Sequence, residues 1–145
     1  MCLYLNADGI NIHLDIRNYK AFNKDDLDSV WCRCDYKFSC GEWLNYHNED
    51  DEILDSSEVE RLESMLTLLI NGMITTEQEI EFTEPDFSFC ISPAVEIQNT
   101  FLDISAEWRI HFWDDGALTC NYLSIMLDRD EIKELKEYLS SIIGR

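Results

Sequence analysis

The chain has 145 residues, 46% hydrophobic and 12% aromatic, which suffices for one domain with its own core and excludes a disordered acidic tail. Against 30 Asp and Glu stand 11 Lys and Arg, a formal net charge of −19. Such a surface repels nucleic acid and anionic lipid and attracts basic proteins.

Leu3–Leu5 and Ile10–Ile16 read as two paired strands. Ile10, Ile12, Leu14 and Ile16 alternate with polar residues, and Asn6-Ala7-Asp8-Gly9 reads as the turn between them. Arg17–Ser29 is polar and reads as a loop. From Val30 to Cys40 the alternation returns, with Cys32, Cys34, Tyr36 and Phe38 on one face. Gly41–Leu54 has no period and reads as irregular.

A helix follows, capped by Asp55, Ser56 or Ser57, with Val59, Leu62, Met65, Leu66 and Leu69 at helical spacing and Asn71-Gly72 as its end. Strands are expected over Glu77–Phe82 and Phe87–Ile91, with Thr83-Glu84-Pro85-Asp86 turning between them. Another is expected over Phe101–Trp113, returning through the Asp115-Gly116 hairpin into Ala117–Ile125. The last helix starts at Asp128, which has capping-box spacing to Glu131, and carries Ile132, Leu135, Leu139 and Ile142 as its apolar stripe. No βαβ alternation is present. The expected fold is a single α+β domain over residues 1–145, a mostly antiparallel curved β-sheet with two amphipathic helices packed on one face.

Motifs for chemistry are absent from the sequence. The five glycines sit at turns or caps, so no phosphate-cradling loop is available. No serine elbow or cysteine–histidine motif surrounds His13, His47 or His111. Cys32, Cys34 and Cys40 lack the spacing of a zinc knuckle and share one strand face, as core residues do. The run His47–Glu52 lacks calcium-loop spacing. No catalytic residue, metal or cofactor is expected. Met1–Asp8 carries no targeting pattern and Met65–Ile70 is too short to span a bilayer, so a cytoplasmic protein is expected, with neither nucleic acid nor membrane as a partner.

What remains is a surface for a protein. Between Glu42 and Glu63 lie nine acidic residues and one basic one, Arg61. Glu49, Asp50, Asp51, Glu52 and Glu58 in this stretch are the first candidates for contact, with Trp43 and Tyr46 as aromatic anchors. The alternating Glu77, Glu79 and Glu81 are the second. A self-associating structural or regulatory domain, dimeric through an exposed sheet face, is the alternative.

Two segments carry a family resemblance. One is the tryptophan-containing strand Asp28-Ser29-Val30-Trp31-Cys32-Arg33-Cys34 with an acidic helix after it. The other is Leu123-Ser124-Ile125-Met126-Leu127-Asp128, a strand running straight into the final helix. In this order of elements the chain resembles the WapI-type bacterial immunity proteins. The resemblance implies inhibition of a cognate basic toxin domain, often a nuclease, by tight non-catalytic binding.

Overall fold

The computed structural model describes residues 1–21 and 30–145. Most of the expected loop before Val30, and the Asp28-Ser29 start of the tryptophan segment, lie outside them.

Strands β1 (Leu3–Ala7), β2 (Ile10–Arg17), β3 (Arg33–Cys40) and β4 (Leu44–Asp51) form an antiparallel sheet in that order. The first hairpin turns on Asp8 and Gly9, at φ 56° and 79°. A two-residue turn of this hand needs positive φ at both positions, which Gly adopts freely and Asp tolerates. Ile10, Ile12, Leu14 and Ile16 are buried from β2, and Cys34, Tyr36 and Phe38 from β3, as their alternation requires.

Strand β4 corrects the expectation of an irregular stretch over 41–54. It is an edge strand that buries only Leu44 and half-buries Tyr46, so it carries almost no apolar alternation. Charged side chains and bulges are how edge strands avoid pairing with other chains, and β4 has both. Cys34 faces Asp51 while Tyr36 faces Asn48, so β4 holds one extra residue, and Asp50 takes the left-handed conformation at φ 51°. Beyond the bulge the chain still tracks its neighbour: the Cys32 amide donates to the Leu54 carbonyl at 2.9 Å and the Ser56 amide to that of Val30 at 2.8 Å.

Helix α1 (Ser56–Ile70) starts at Asp55 in a full capping box with Glu58. Then come β5 (Gln78–Glu81), β6 (Phe87–Ser92), a small separate hairpin of β7 (Val95–Ile97) and β8 (Thr100–Leu102), and the long strands β9 (Ser105–Asp114) and β10 (Ala117–Leu127). Helix α2 (Arg129–Ile143) closes the described chain, boxed by Asp128 and Glu131 and ended by Gly144 at φ 87°. Phe101–Trp113 is therefore not one strand. Asp103 breaks it, its carboxylate accepting from the Ile104 amide at 2.8 Å and from Arg129, which turns the chain out of β8 before β9 begins.

The α+β class and the antiparallel strands are as expected. The strands divide into two open four-stranded sheets, β1-β2-β3-β4 and β10-β9-β6-β5. One core serves both. Phe38 of the first sheet packs edge-on against Trp108 of the second at 5.4 Å, and Tyr36 meets Phe87 at 5.0 Å. Helices α1 and α2 pack on each other, and α2 also touches β1, β9 and β10. The Ile16 amide donates to the buried Tyr138 hydroxyl at 2.8 Å, tying α2 to the first sheet.

Candidate functional site

The acidic stretch between Glu42 and Glu63 is continuous in sequence and scattered in space. Glu58 is 7% exposed, and its two carboxylate oxygens accept from the amides of Asp55 (3.1 Å) and Thr83 (2.8 Å). Glu63 is buried between the helices and accepts from Ser140 at 3.0 Å and Arg145 at 2.8 Å. Glu60 accepts from the Tyr19 hydroxyl. Asp50 pairs with Arg17 and Arg33, and Glu52 with Arg33, on the outer face of the first sheet. The Arg33 contact, then that of Arg17, holds the Asp50 carboxyl below its usual range. Glu49 is exposed on β4. Helix α1 thus presents no continuous acidic face, because capping and interhelical contacts consume its carboxylates.

The two aromatic candidates also separate. Trp43 is 68% exposed, in the turn before β4. Strand rise places it roughly 20 Å or more from the Asp51 end of β4. Tyr46 packs instead at the seam between the sheets. Its ring meets Phe112 edge-on at 4.8 Å, and its hydroxyl accepts from the Trp113 amide at 3.2 Å.

That seam opens into a cleft of about 630 Å³ lined by Tyr46, His47, Asp51, Glu52, Glu84, Asp86 and Trp113, among others. The end of β4 supplies one wall, and the turn before β6 with the tip of the β9–β10 hairpin supplies the other. The hairpin is held by Asp115 and Gly116 at φ 48° and 76°. Asp86 is the deepest of the acids, 3% exposed, and accepts from the Tyr36 hydroxyl at 2.9 Å. Burial pushes its carboxyl above the usual range and the nearby Asp51 charge adds to this, while hydrogen bonds from Tyr36 and the Trp113 side chain act in the opposite sense. Asp51 accepts from the Asn48 side chain at 2.7 Å and from the Glu52 amide at 2.8 Å. Among the described residues, no ion pair reaches Asp51, Glu84 or Asp86.

Of the candidates named from the sequence, Tyr46, Asp51 and Glu52 line this one cleft. The cleft adds Glu84, Asp86 and Trp113, which sequence reasoning missed. Thr83–Asp86 signalled a turn and Trp113 the approach to a hairpin, but nothing local signals that Asp86 meets Tyr36, 50 residues away.

The second acidic group lies on the outer face of the second sheet. Glu77, Glu79 and Glu81 are exposed, and Glu79 pairs with Arg109 at 3.3 Å. Ligand-capable atoms of Glu77, Glu79 and Cys90 lie within 4.8 Å of one another, the closest approach to a metal-binding set among the described residues. Burial first, then the two glutamates, push the Cys90 thiol up to about 12, so it stands there as a neutral donor. Ser88 Oγ and His111 Nε2 are 3.5 Å apart, with Ser88 buried and no carboxylate hydrogen-bonded to His111 among the described residues. Cys32 and Cys34 are fully buried core residues with free thiols. No helix is long and apolar enough to cross a membrane.

A search of curated proteins returns no match. The Immunity protein WapI-like family matches the chain over residues 2–145, and with nearly every residue covered the chain belongs to that family.

Proposed function

We propose that this immunity protein inhibits a cognate basic toxin domain, of nuclease type, by occupying its cationic surface without catalysis. The observation that carries this is the seam cleft, where Asp51, Glu84 and Asp86 have no cationic partner among the described residues while Asp50 and Glu52 beside them are paired with Arg17 and Arg33. A nuclease binds phosphate through Lys and Arg, and a carboxylate-lined cleft is complementary to such a surface. Cytoplasmic residence in a bacterium fits an inhibitor that must meet its toxin inside the producing cell. Asp51 in the cleft and Glu49, exposed on β4, are the proposed steering charges. Glu58 is left out, since its carboxylate is spent inside the fold. The test is co-purification with the basic domain encoded beside this chain. Inhibition should be stoichiometric, and its association rate should fall steeply with salt. A neighbouring product that neither binds nor is inhibited would remove the proposal.

Self-association has one observation in its favour. The β7–β8 hairpin exposes Val95, Ile97, Phe101 and Leu102, with Phe101 at 67%. A two-stranded hairpin is marginal alone in water, and apolar residues on both of its faces suit burial against a second copy. Sedimentation at rising concentration tests this, with Phe101→Ser as the control.

A further inference from the structure

We infer that the seam cleft is a receptor for one arginine side chain of the partner, with Asp86 as its fixed counter-charge. This rests on the inhibitor role argued above and specifies what that role requires at the cleft.

Three features point to a guanidinium. First, Asp86 is a carboxylate 97% removed from solvent whose hydrogen-bond donor, the Tyr36 hydroxyl, is neutral. A buried charge without a counter-ion is costly, and a cation entering beside it recovers that cost. Second, of the four acids that line the cleft Arg33 pairs with Glu52 alone, and Asp51, Glu84 and Asp86 have no ion pair among the described residues. Third, the cleft holds two large aromatic side chains. Tyr46 and Trp113 both line it, and the Trp113 backbone amide fixes the Tyr46 hydroxyl at 3.2 Å. A planar guanidinium stacks on aromatic faces and bonds a carboxylate in fork geometry, whereas an ammonium offers only a point charge. The void of about 630 Å³ also leaves room for the loop that would carry the arginine.

The chain elsewhere shows the same chemistry in reverse. On the outer face of the first sheet, Arg17 sits among Asp15, Asp35 and Asp50 at 2.7, 2.9 and 3.2 Å. The fold thus supplies its own arginine where three aspartates converge on an open face, and Arg33 to Glu52 at the cleft's edge, but none, among the described residues, to Asp51, Glu84 or Asp86.

The test uses the whole protein and Nα-acetyl-arginine amide as the probe, followed by two-dimensional NMR with the Trp113 indole and the Tyr46 ring as reporters. Saturable shifts confined to the cleft are expected, at least tenfold weaker for Nα-acetyl-lysine amide and lost in Asp86→Asn. Should Asp86→Asn fail to give a folded spectrum, Asp51→Asn with Glu84→Gln replaces it, with at least a tenfold loss expected. Shifts that rise linearly, spread over the outer faces, or persist unchanged in those variants overturn the assignment. Saturable probe binding without any toxin inhibition would sink the inhibitor role and leave the cleft a cation receptor. Inhibition that survives when the cleft binds no probe would do the opposite.

Discussion

The Tyr36 hydroxyl donates to the Asp86 carboxylate at 2.9 Å, joining the centre of the first sheet to the turn between β5 and β6 of the second. Both residues are almost wholly buried, so this bond both holds the seam and sets the charge inside it. Tyr36→Phe removes the donor and keeps the ring. Leaving a buried carboxylate short of a partner costs about 1–3 kcal/mol. Urea denaturation at neutral pH should show that loss, and an unchanged midpoint would mean that water or Trp113 takes over the bond.

Asp86 also leaves a pH signature. Its carboxyl is raised in the folded protein above the usual value of 3.8. The native state therefore holds this proton more tightly than the unfolded chain, so the group favours folding at low pH and that contribution is lost as pH rises through the raised value. Self-repulsion of the other acids runs in the same direction, so the comparison must be with Asp86→Asn. The stability difference between variant and wild type should grow in the variant's favour as pH climbs from 3.8 upward. A difference that stays flat would place the carboxyl in its ordinary range.

The Asp103–Arg129 pair behaves with the opposite sign. Arg129 Nε and a second guanidinium nitrogen reach Asp103 at 2.9 and 2.6 Å, and with the Ile104 amide they hold its carboxyl down at about 2. A depressed value stabilises the fold above the unfolded value of 3.8 and ceases to do so as pH falls through about 2. Arg129→Met should move the Asp103 carboxyl resonance midpoint upward toward 3.8. The stability gap between the two proteins should close in acid. Because the pair is exposed, salt should narrow the same gap.

Glu58 tests whether an acid in the candidate stretch serves the fold or a partner. Glu58→Ala strands the Asp55 and Thr83 amides, a loss of about 1–3 kcal/mol with two donors affected. Glu58→Gln keeps one accepting oxygen and should lose less. Neither variant should change affinity for the toxin once folded. A variant of full stability and weakened binding would return Glu58 to the interface.

How far the sequence discloses these features depends on how local their cause is. Asp55 and Glu58, Asp128 and Glu131, and Asp115-Gly116 act over a few residues, so both helix starts and the second hairpin can be read directly. Alternation reveals β2 and β3 because their inner faces are buried in full. Strand β4 escapes because an edge strand with a charged outer face owes its conformation to hydrogen bonds with β3, not to its own side chains. The cleft escapes for a related reason. Asp51 and Glu52 are visible as acids, but their distinction, one unpaired and the other held by Arg33, depends on a bulge at Asp50 and on a turn that arrives from beyond α1.

The two acidic surfaces can be told apart at the partner. Asp51→Asn with Glu84→Gln removes two rim charges of the cleft, and Glu77, Glu79 and Glu81 changed together to Gln remove three from the outer face of the second sheet. Both sets lower the net negative charge, so both should slow association at low salt. Only the cleft pair should also speed dissociation, since a charge paired in a dehydrated cleft is replaced poorly by water. The expected cost is about 2 kcal/mol or more, roughly thirtyfold in Kd. The outer-face triple already has Arg109 bound to Glu79, so part of its charge is spent within the sheet. Its effect should therefore fade at physiological salt while that of the cleft pair persists. If the triple instead raises the dissociation rate, the contact lies on the second sheet, and the unpaired carboxylates of the cleft need another explanation.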